Sequence, residues 1–481
     1  MKTIRKSFPE TGLEASALHK EMQMTKSKDA AWREGKVFGY IYYKDDEAAK
    51  VAEEAYRLFC CENSLNPSLF VSLKRFETET VQMMTDLLHG GPDAAGILTS
   101  GGTESIIMAM KTARDKARND HSEIKYPEVV SPESVHPAFD KAAHYLDIKL
   151  IHTPVMDDKR ADINAIRKAI TSNTILLVGS APCFPHGVID PIAEIGQLAL
   201  QYKIPFHVDA CMGGMILPFA EELGYPIPGF DFRVPGVTSI SADIHKYGYS
   251  PKGASVVIYA THELRKYQFF VYTDWSGGLY GSPAILGSRC GGPIAAAWAT
   301  LVFHGRDGYL RMTREVMETS KKLQERINAI PSLRVVSNPD TCIFAVTSDN
   351  IDIFEVGDDL TAGGWHLDRI QFPNALHVTL SYHNIKKADE FILALKNAVA
   401  KVSVEKTKSR STHFAVSFVK GLSKMLPETW FKKLSSAATK MMGNKDGKGQ
   451  GMKAAMYGIT AAIENRGNVH DLVLDALDGM Y

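Results

Sequence analysis

The sequence predicts an α/β protein whose mostly parallel sheet is covered by helices. Between about residues 95 and 260, short β-rich runs alternate with longer stretches in which apolar residues recur every three or four positions. This alternation is typical of strands joined by helical crossovers. In addition, several glycine-rich or polar segments follow directly after candidate strands, which is where open α/β sheets bind ligands.

The candidate strands are short and bounded by turn-forming residues. In chain order they are Gly96–Leu98, Glu128–Val130, Lys149–His152, Thr174–Val178, Pro205–Val208, Thr238–Ser241 and Ser255–Tyr259. Helical periodicity fills the stretches between them. It is clearest at Thr103–Lys116, Pro137–Tyr145 and Ile192–Tyr202.

The regions on either side of this core predict two smaller parts. Residues 1–70 look like an N-terminal arm with a helix near Asp46–Cys60, and residues 71–308 form the large domain. Residues 309–481 predict a smaller α+β domain, because a helical pattern at Leu310–Ile330 precedes three β-rich runs. These runs are Leu333–Val335, Cys342–Val346 and Leu376–Leu380.

A basic insertion near residues 401–455 differs in composition from the rest of the chain. It contains twelve Lys or Arg residues against three acidic ones, together with Phe, Trp and Met. A lysine-rich surface helix pair would have this composition, and so would a peripheral contact with a membrane surface. Both interpretations stay open at the level of the sequence.

The overall composition excludes a general attraction to nucleic acid, because Lys and Arg total 55 and Asp and Glu also total 55. The six cysteines form no C-x-x-C pair and no zinc-like spacing with histidine, so we expect no metal site and a reducing, cytoplasmic location. The best apolar run, Ile294–Phe303, is far shorter than the ~20 residues that span a bilayer. We therefore expect a soluble chain without a signal peptide or membrane anchor.

Lys246 lies in the segment Ser239–Gly253, which runs directly off a predicted strand. A lysine at the carboxyl end of a strand can form a Schiff base if burial or nearby cations lower the pKa of its amine. Most lysines in such loops are simply solvated. Lys246 is therefore a candidate that requires support from other segments.

Asp209 provides such support, because it ends an apolar run about forty residues upstream of Lys246. A carboxylate there can pair with a pyridinium nitrogen and keep the ring an electron sink. An aspartate at a strand end can equally well cap a turn.

A glycine turn follows the first candidate strand and leads into a helix that begins near Gly102 and Thr103. Glycine lets the backbone approach an anion closely, and the free amides of the helix start favour a phosphate group. Such turns also occur for packing alone. The pattern is not the G-x-G-x-x-G motif of dinucleotide-binding proteins.

His136 lies in the loop after the next strand, immediately before Pro137 and a helix. An imidazole at this edge can stack on an aromatic cofactor. Single histidines are also ordinary residues at helix starts, because loops of this kind are numerous.

These four segments occur in a chain order that resembles the fold-type I pyridoxal-phosphate transferase fold. Within that fold, the chain is similar to the branch that contains the group II amino-acid decarboxylases and the sphingosine-1-phosphate lyases. The resemblance to the lyases extends from about Trp32 to the C terminus. Two stretches look like lyase versions of their motifs, namely Ala242–Gly253 and Thr273–Arg289.

The resemblance implies pyridoxal 5′-phosphate as the cofactor. Lys246 would carry it as a Schiff base, Asp209 would pair with its ring nitrogen, and His136 would stack on its ring. Five residues would contact its phosphate group, the last two of them from the second subunit of a homodimer: His245, Gly102, Thr103, Gly287 and Ser288.

The resemblance also implies a phosphorylated substrate that is bound by Tyr42, Asn63, Asn66 and Lys252. The lyases usually read Asn-Pro-Leu-His where this chain reads Asn63-Ser-Leu-Asn66. Asn66 donates a hydrogen bond without a charge, so more of the phosphate affinity would depend on Lys252.

The implied reaction is the retro-aldol cleavage of sphingosine 1-phosphate or sphinganine 1-phosphate to a long-chain fatty aldehyde and phosphoethanolamine. Tyr42, Tyr249 and Lys246 are candidates for the proton transfers. Two alternatives stay open. One is a group II amino-acid decarboxylase with the same cofactor, and the other is a catalytically silent scaffold that binds the cofactor or a lipid.

Overall fold

A seven-stranded sheet forms the centre of the fold, as the alternating sequence pattern predicted. The computed structural model describes residues 7–408 and, near the C terminus, His470, Leu474, Leu477 and Asp478. The strands of the sheet are β1 (Ala95–Thr99), β2 (Glu128–Pro132), β3 (Lys149–Thr153), β4 (Thr174–Ser180), β5 (Phe206–Asp209), β6 (Ser239–Ala242) and β7 (Ser255–Tyr259).

The carboxyl ends of most strands lie at the same edge of the sheet. The order is β1-β7-β6-β5-β4-β2-β3, with β7 antiparallel to both of its neighbours and the other pairs parallel. Because β7 alone is reversed, the carboxyl ends of β1, β2, β5 and β6 lie at one edge. The loops after these strands contain the candidate site residues.

Twelve α-helices lie in the described part of the chain. They are α1 (Ala15–Lys26), α2 (Asp46–Phe59), α3 (Val71–Leu87), α4 (Gly102–Asp120), α5 (Ala138–Leu146), α6 (Ile163–Ala169), α7 (Ile192–Tyr202), α8 (Leu217–Glu222), α9 (His262–Lys266), α10 (Gly291–Asn328), α11 (Ile353–Ala362) and α12 (Ala388–Lys408). Two short 3-10 helices occupy Trp32–Glu34 and Tyr382–Lys387. Helix α10 is interrupted at Gly305, whose φ of 57° and ψ of 176° are not helical.

Helices cover the sheet because both of its faces are apolar. Every residue of β4 and β7 is buried, which is typical of strands covered on two sides. Helix α4 contributes Ile106, Ile107 and Met110 to a core that also contains Val129 and Val257. This packing fixes the start of α4 against the strands that carry the site.

The remaining strands lie outside the seven-stranded sheet. They are β8 (Phe270–Trp275), β9 (Gly278–Ser282), β10 (Arg334–Val335), β11 (Ile343–Thr347), β12 (Asp368–Ile370) and β13 (Ala375–Thr379). Strands β8 and β9 form an antiparallel hairpin, and β10 pairs antiparallel with β11. The hairpin was not predicted from the sequence, because all six residues of β8 are exposed and the alternation of apolar and polar residues is missing.

The backbone falls into two units. The larger comprises Phe38–Thr347 and His377–Ala388 and contains the seven-stranded sheet. The smaller comprises Met1–Val37, Ser348–Leu376 and Asp389–Tyr481. Within its described part, Trp365 packs on Phe391 with ring centroids 5.2 Å apart. The predicted division at residues 70 and 308 stays a prediction, and the basic insertion beyond residue 408 lies outside the described residues.

Gly187 shows how closely two backbone segments of the larger unit approach one another. Its φ is +68°, and a Cβ atom at this position would lie 1.7 Å from the carbonyl oxygen of Ile343. The Gly187 carbonyl in turn accepts a hydrogen bond from the Asp340 amide at 3.1 Å. Only glycine fits this contact.

We expect Gly187→Ala to destabilise the protein by more than about 3 kcal/mol, because a steric overlap adds to the about 1–2 kcal/mol that a left-handed alanine costs. Gly224→Ala is the matched control, since Gly224 has a φ of +86° and no neighbour within 4 Å of the added atom. Urea midpoints measure the difference. Equal midpoints for the two variants would show that the contact with Ile343 does not matter.

Candidate active site

Lys246 lies in the turn that follows β6, at the carboxyl edge of the sheet. Its Nζ atom is 2.9 Å from Oδ2 of Asp243, whose side chain is 2% exposed. Burial lowers the pKa of Lys246, but the negative charge of Asp243 and its hydrogen bond more than offset this, so the net pKa is raised. The condition stated from the sequence, a lowered amine pKa, is therefore not met for Lys246 beside Asp243.

Asp243 is the buried counterion of the site. Burial raises its pKa, but the positive charge of Lys246 outweighs burial, so the pKa is lowered and the carboxylate is ionised at neutral pH. Its Oδ1 atom has no hydrogen-bond partner within the described chain. A buried oxygen of this kind is usually satisfied, so it marks a place where a bound group could donate.

The glycine turn after β1 packs directly on this ion pair. A Cβ atom on Gly102 would lie 2.8 Å from Sγ of Cys211 and 2.9 Å from both carboxylate oxygens of Asp243. Gly102 is also the first residue of α4, a helix of 19 residues. The turn therefore presents free backbone amides, including that of Thr103, close to Lys246.

Glu104 connects this turn to a distant loop and was not predicted from the sequence. Its carboxylate accepts hydrogen bonds from the Ser100 amide at 2.6 Å and from the Ile285 amide at 2.9 Å. Ile285 lies two residues before Gly287, which belongs to the loop predicted to serve a second subunit. A glutamate three positions after the helix N-cap Gly101 is the sequence signal that could have identified it.

His245 lies beside the same turn in a defined tautomer. Its Nδ1 atom accepts a hydrogen bond from the Ala254 amide at 3.2 Å, which places the proton of the neutral ring on Nε2. Burial lowers the pKa of His245 to about 4, so the ring is neutral at pH 7. The Nε2 atom lies 3.6 Å from Oδ2 of Asp243 and carries a proton that the neutral ring can donate.

Asp209 ends β5 and is held by two donors. Its Oδ1 atom accepts hydrogen bonds from the Cys211 amide at 3.0 Å and from Oγ of Ser241 at 3.2 Å. The side chain is buried, with 7% exposure. One carboxylate oxygen is therefore fixed by the protein, which leaves Oδ2 for a ligand.

His136 follows β2 and packs at right angles to Phe184, with ring centroids 6.4 Å apart. Its Nδ1 atom accepts a hydrogen bond from the Ala138 amide at 3.1 Å. The ring thus also acts as part of the start of α5. Its orientation is set by contacts on two sides, as a stacking role requires.

Lys252 and Tyr42 form the cationic side of the site. The ammonium group of Lys252 lies 4.8 Å from the centroid of the Tyr42 ring and donates to the His245 carbonyl at 3.1 Å. Partial desolvation and the charge of Lys246 lower the pKa of Lys252 to about 8. Lys252 is therefore charged at neutral pH and close to losing its proton in mild base.

Tyr249 is placed in the same turn as Lys246, with a left-handed φ of 59°. Burial raises the pKa of its phenol well above the usual value. The group is thus a neutral hydroxyl at neutral pH that holds its proton tightly. Such a phenol is a weak acid, so its direct role is that of a hydrogen-bond donor.

Asn63 and Ser288, which were predicted to serve different ligands, form one cluster. The Asn63 amide nitrogen donates to Oγ of Ser288 at 3.0 Å, and the Arg289 amide donates to the Asn63 oxygen at 3.1 Å. Arg289 is itself fixed by Glu77 through contacts of 2.6 and 2.9 Å. Gly287 immediately precedes this cluster.

Asn66 has a local structural role. Its side-chain oxygen accepts hydrogen bonds from the amides of Ser68 and Leu69 at 3.1 and 3.2 Å, as in an Asx turn. Its amide nitrogen is the group that the predicted phosphate contact requires. The same side chain can serve both purposes because the two atoms are distinct.

Comparison with known proteins gives consistent results. A model of the pyridoxal-dependent decarboxylase conserved domain matches residues 67–346. The chain is 44% identical to sphingosine-1-phosphate lyase 1 of Rattus norvegicus over 85% of this chain and 72% of the relative, and 48% identical to sphingosine-1-phosphate lyase of Arabidopsis thaliana over 82% and 74%. The solved structure of Burkholderia pseudomallei sphingosine-1-phosphate lyase matches with a TM-score of 0.81 and 41% identity, covering 86% of this chain and 97% of that one.

The Lys246–Asp243 ion pair predicts how the reactivity of Lys246 depends on pH. Imine formation requires the neutral amine, so Asp243→Asn, which removes the charge that raises the pKa, should shift the pH dependence of Lys246 modification to lower pH by about 1–3 units. Trapping with a simple aldehyde and borohydride, followed by peptide mass analysis, measures this. Asp140→Asn, which removes an exposed partner of His152, is the control. An unchanged pH dependence of Lys246 modification in Asp243→Asn would show that Asp243 does not raise the pKa of Lys246.

Proposed function

Because the chain belongs to the pyridoxal-dependent decarboxylase family, we propose that it is a pyridoxal-phosphate-dependent aldehyde-lyase that cleaves sphingosine 1-phosphate or sphinganine 1-phosphate to a long-chain fatty aldehyde and phosphoethanolamine. The observation that carries this proposal is the 44% and 48% identity to sphingosine-1-phosphate lyases over more than four fifths of the chain. The resemblance predicted from the sequence motifs is confirmed by these relatives. The amino-acid decarboxylases represent only the broader family.

The chemistry of the residues around Lys246 fits pyridoxal phosphate. The bound cofactor would supply an electron sink for the bond that breaks in the substrate. Lys246 would hold it covalently, Oδ2 of Asp209 would face its ring nitrogen, and His136 would stack on its ring. The free backbone amides at the start of α4, at Gly102 and Thr103, and the neutral donor Nε2 of His245 would receive its phosphate group.

The residues around Lys246 support a division of roles during cleavage. Lys252, with Tyr42 beneath it, would bind the substrate phosphate, and Asn63 and Asn66 would add neutral donors. When it is not bound to the cofactor, the Lys246 amine would pair with Asp243 and hold a proton at Nζ. Tyr249, whose phenol keeps its proton, would donate a hydrogen bond, while Tyr42 and Lys246 remain the candidates for removing the 3-hydroxyl proton.

A homodimer with shared sites is the arrangement that the Asn63–Ser288 cluster supports. Both residues were predicted to bind phosphate groups, and their direct contact supports the proposal that they serve the same site. The neighbouring hairpin exposes large apolar side chains, including Val271 at 66% and Leu279 at 84%. A second copy of this chain would bury them and bring Gly287 and Ser288 to its Lys246.

The cellular location and the outer regions of the chain are part of the same proposal. In the described residues, no helix is both long and apolar enough to cross a bilayer. The thiols of all six cysteines are free, which supports a reducing, cytoplasmic location. A peripheral membrane contact through residues 401–455 would bring the enzyme to its lipid substrate.

We also propose that the chain is divided into the arm, the large domain and the C-terminal domain.

Purified enzyme should release a fatty aldehyde from sphingosine 1-phosphate and no CO₂ from a panel of amino acids. Lys246→Ala should remove the visible absorbance of the bound cofactor and lower turnover at least about a thousandfold. Lys266→Ala is the control, because that lysine is an exposed residue of α9 paired with Glu263. Release of CO₂ without aldehyde would identify an amino-acid decarboxylase. A preparation that binds the cofactor and releases neither product would be a silent scaffold.

Hybrid dimers test the shared site. Lys246→Ala and Ser288→Asp should each inactivate the homodimer, the second by placing a negative charge beside a bound phosphate. Co-expression of the two chains should restore about a quarter of the wild-type activity, since half of randomly paired dimers are hybrids and each hybrid retains one intact site of two. No recovery in purified hybrids would mean that each site is built from one chain.

A further inference from the structure

A buried row of polar side chains leads from the core of the sheet to Asp209. In the parallel register of β5 and β6, His207 lies opposite Ser239 and Asp209 lies opposite Ser241. His207 and Ser241 are 0% exposed. The two ring nitrogens of His207 contact Oγ of Ser239 at 2.9 Å and Oγ of Ser241 at 3.2 Å.

The Asp209 carboxylate at the end of this row determines which group donates and which group accepts in each hydrogen bond. The Asp209 carboxylate can only accept, so the Ser241 hydroxyl donates to it. The oxygen of Ser241 must then accept from Nε2–H of His207, and Nδ1 of His207 must accept from Ser239. Burial lowers the pKa of His207 to about 4, which agrees with a neutral ring that carries one proton.

Two further donors converge on the same place. The Cys211 amide donates to Oδ1 of Asp209 at 3.0 Å, and the Cys211 thiol donates to Oγ of Ser241 at 3.3 Å. All these donors act on Oδ1 of Asp209 or on the hydroxyl that contacts it. The carboxylate is therefore held by one oxygen in a single orientation, in a place where an unpaired charge would be costly.

We propose that Ser241, oriented by His207, is a positioning residue that holds Oδ1 of Asp209 so that Oδ2 accepts a hydrogen bond from the protonated ring nitrogen of the cofactor. Loss of the Ser241 hydroxyl removes a donor from a buried carboxylate. Asp209 then loses one of the two donors that fix its orientation, and its pairing with the ring nitrogen weakens. The inference rests on pyridoxal phosphate as the cofactor and is independent of the identity of the substrate.

The test uses full-length enzyme reconstituted with pyridoxal phosphate labelled with ¹⁵N in the ring. The wild-type protein should show the ¹⁵N chemical shift of a protonated pyridinium. In Ser241→Ala the shift should move toward that of a neutral pyridine, and the Kd of the cofactor should rise about tenfold. Ser320→Ala is the control, because Ser320 is a buried serine in α10 that is hydrogen-bonded to Gln324.

Conservative variants separate positioning from packing. Ser241→Thr retains the hydroxyl and should give the wild-type ¹⁵N shift, whereas Ser241→Cys, with a weak donor of similar size, should give an intermediate value. If Ser241→Ala does not fold, the Thr and Cys variants supply the comparison. A wild-type ¹⁵N shift in Ser241→Ala or Ser241→Cys would overturn the proposal, as would a neutral pyridine in the wild-type enzyme. Failure to cleave sphingosine 1-phosphate would leave these shifts unaffected and would count only against the proposed substrate.

Discussion

The ion pair between Lys246 and Asp243 is the interaction on which the rest of the site depends. A carboxylate with 2% exposure would be strongly disfavoured without a nearby cation, and Lys246 supplies that cation in the turn immediately after β6. The glycine turn at Gly102 packs on the same carboxylate, and His245 lies within 3.6 Å of it. Lys246, the glycine turn and the neutral ring of His245 are therefore grouped around one buried charge.

The two buried carboxylates of the site, those of Asp243 and Asp209, have different partners. Asp243 faces an ammonium group, so it sets the protonation state of Lys246. Asp209 contacts neutral donors from Ser241 and Cys211, and its second oxygen is left for a positively charged ligand. The neighbours thus distinguish the two carboxylates: Asp243 pairs with the lysine, and Asp209 is the one proposed to face the cofactor.

Much of this arrangement was predictable from the sequence, because it depends on strand order and on residue types at strand ends. The buried run of β4 and the glycine turn before α4 are local patterns. The hairpin of β8 was missed because its residues are exposed and lack periodicity. Asp243 and Ser241 were missed for another reason. Their roles arise from pairing with Lys246 and from the register of β5 against β6, and neither relation is a pattern within one segment.

The contact between Asn63 and Ser288 joins two distant parts of the sequence. One hydrogen bond links Asn63 to a loop residue more than two hundred positions later, and Arg289 fastens the same loop to Glu77. Glu104 connects that loop to the glycine turn. Because the turn is held by Glu104 and packs on Asp243, a substitution at Asn66, a residue proposed to bind the substrate, can alter substrate affinity while the turn keeps its position.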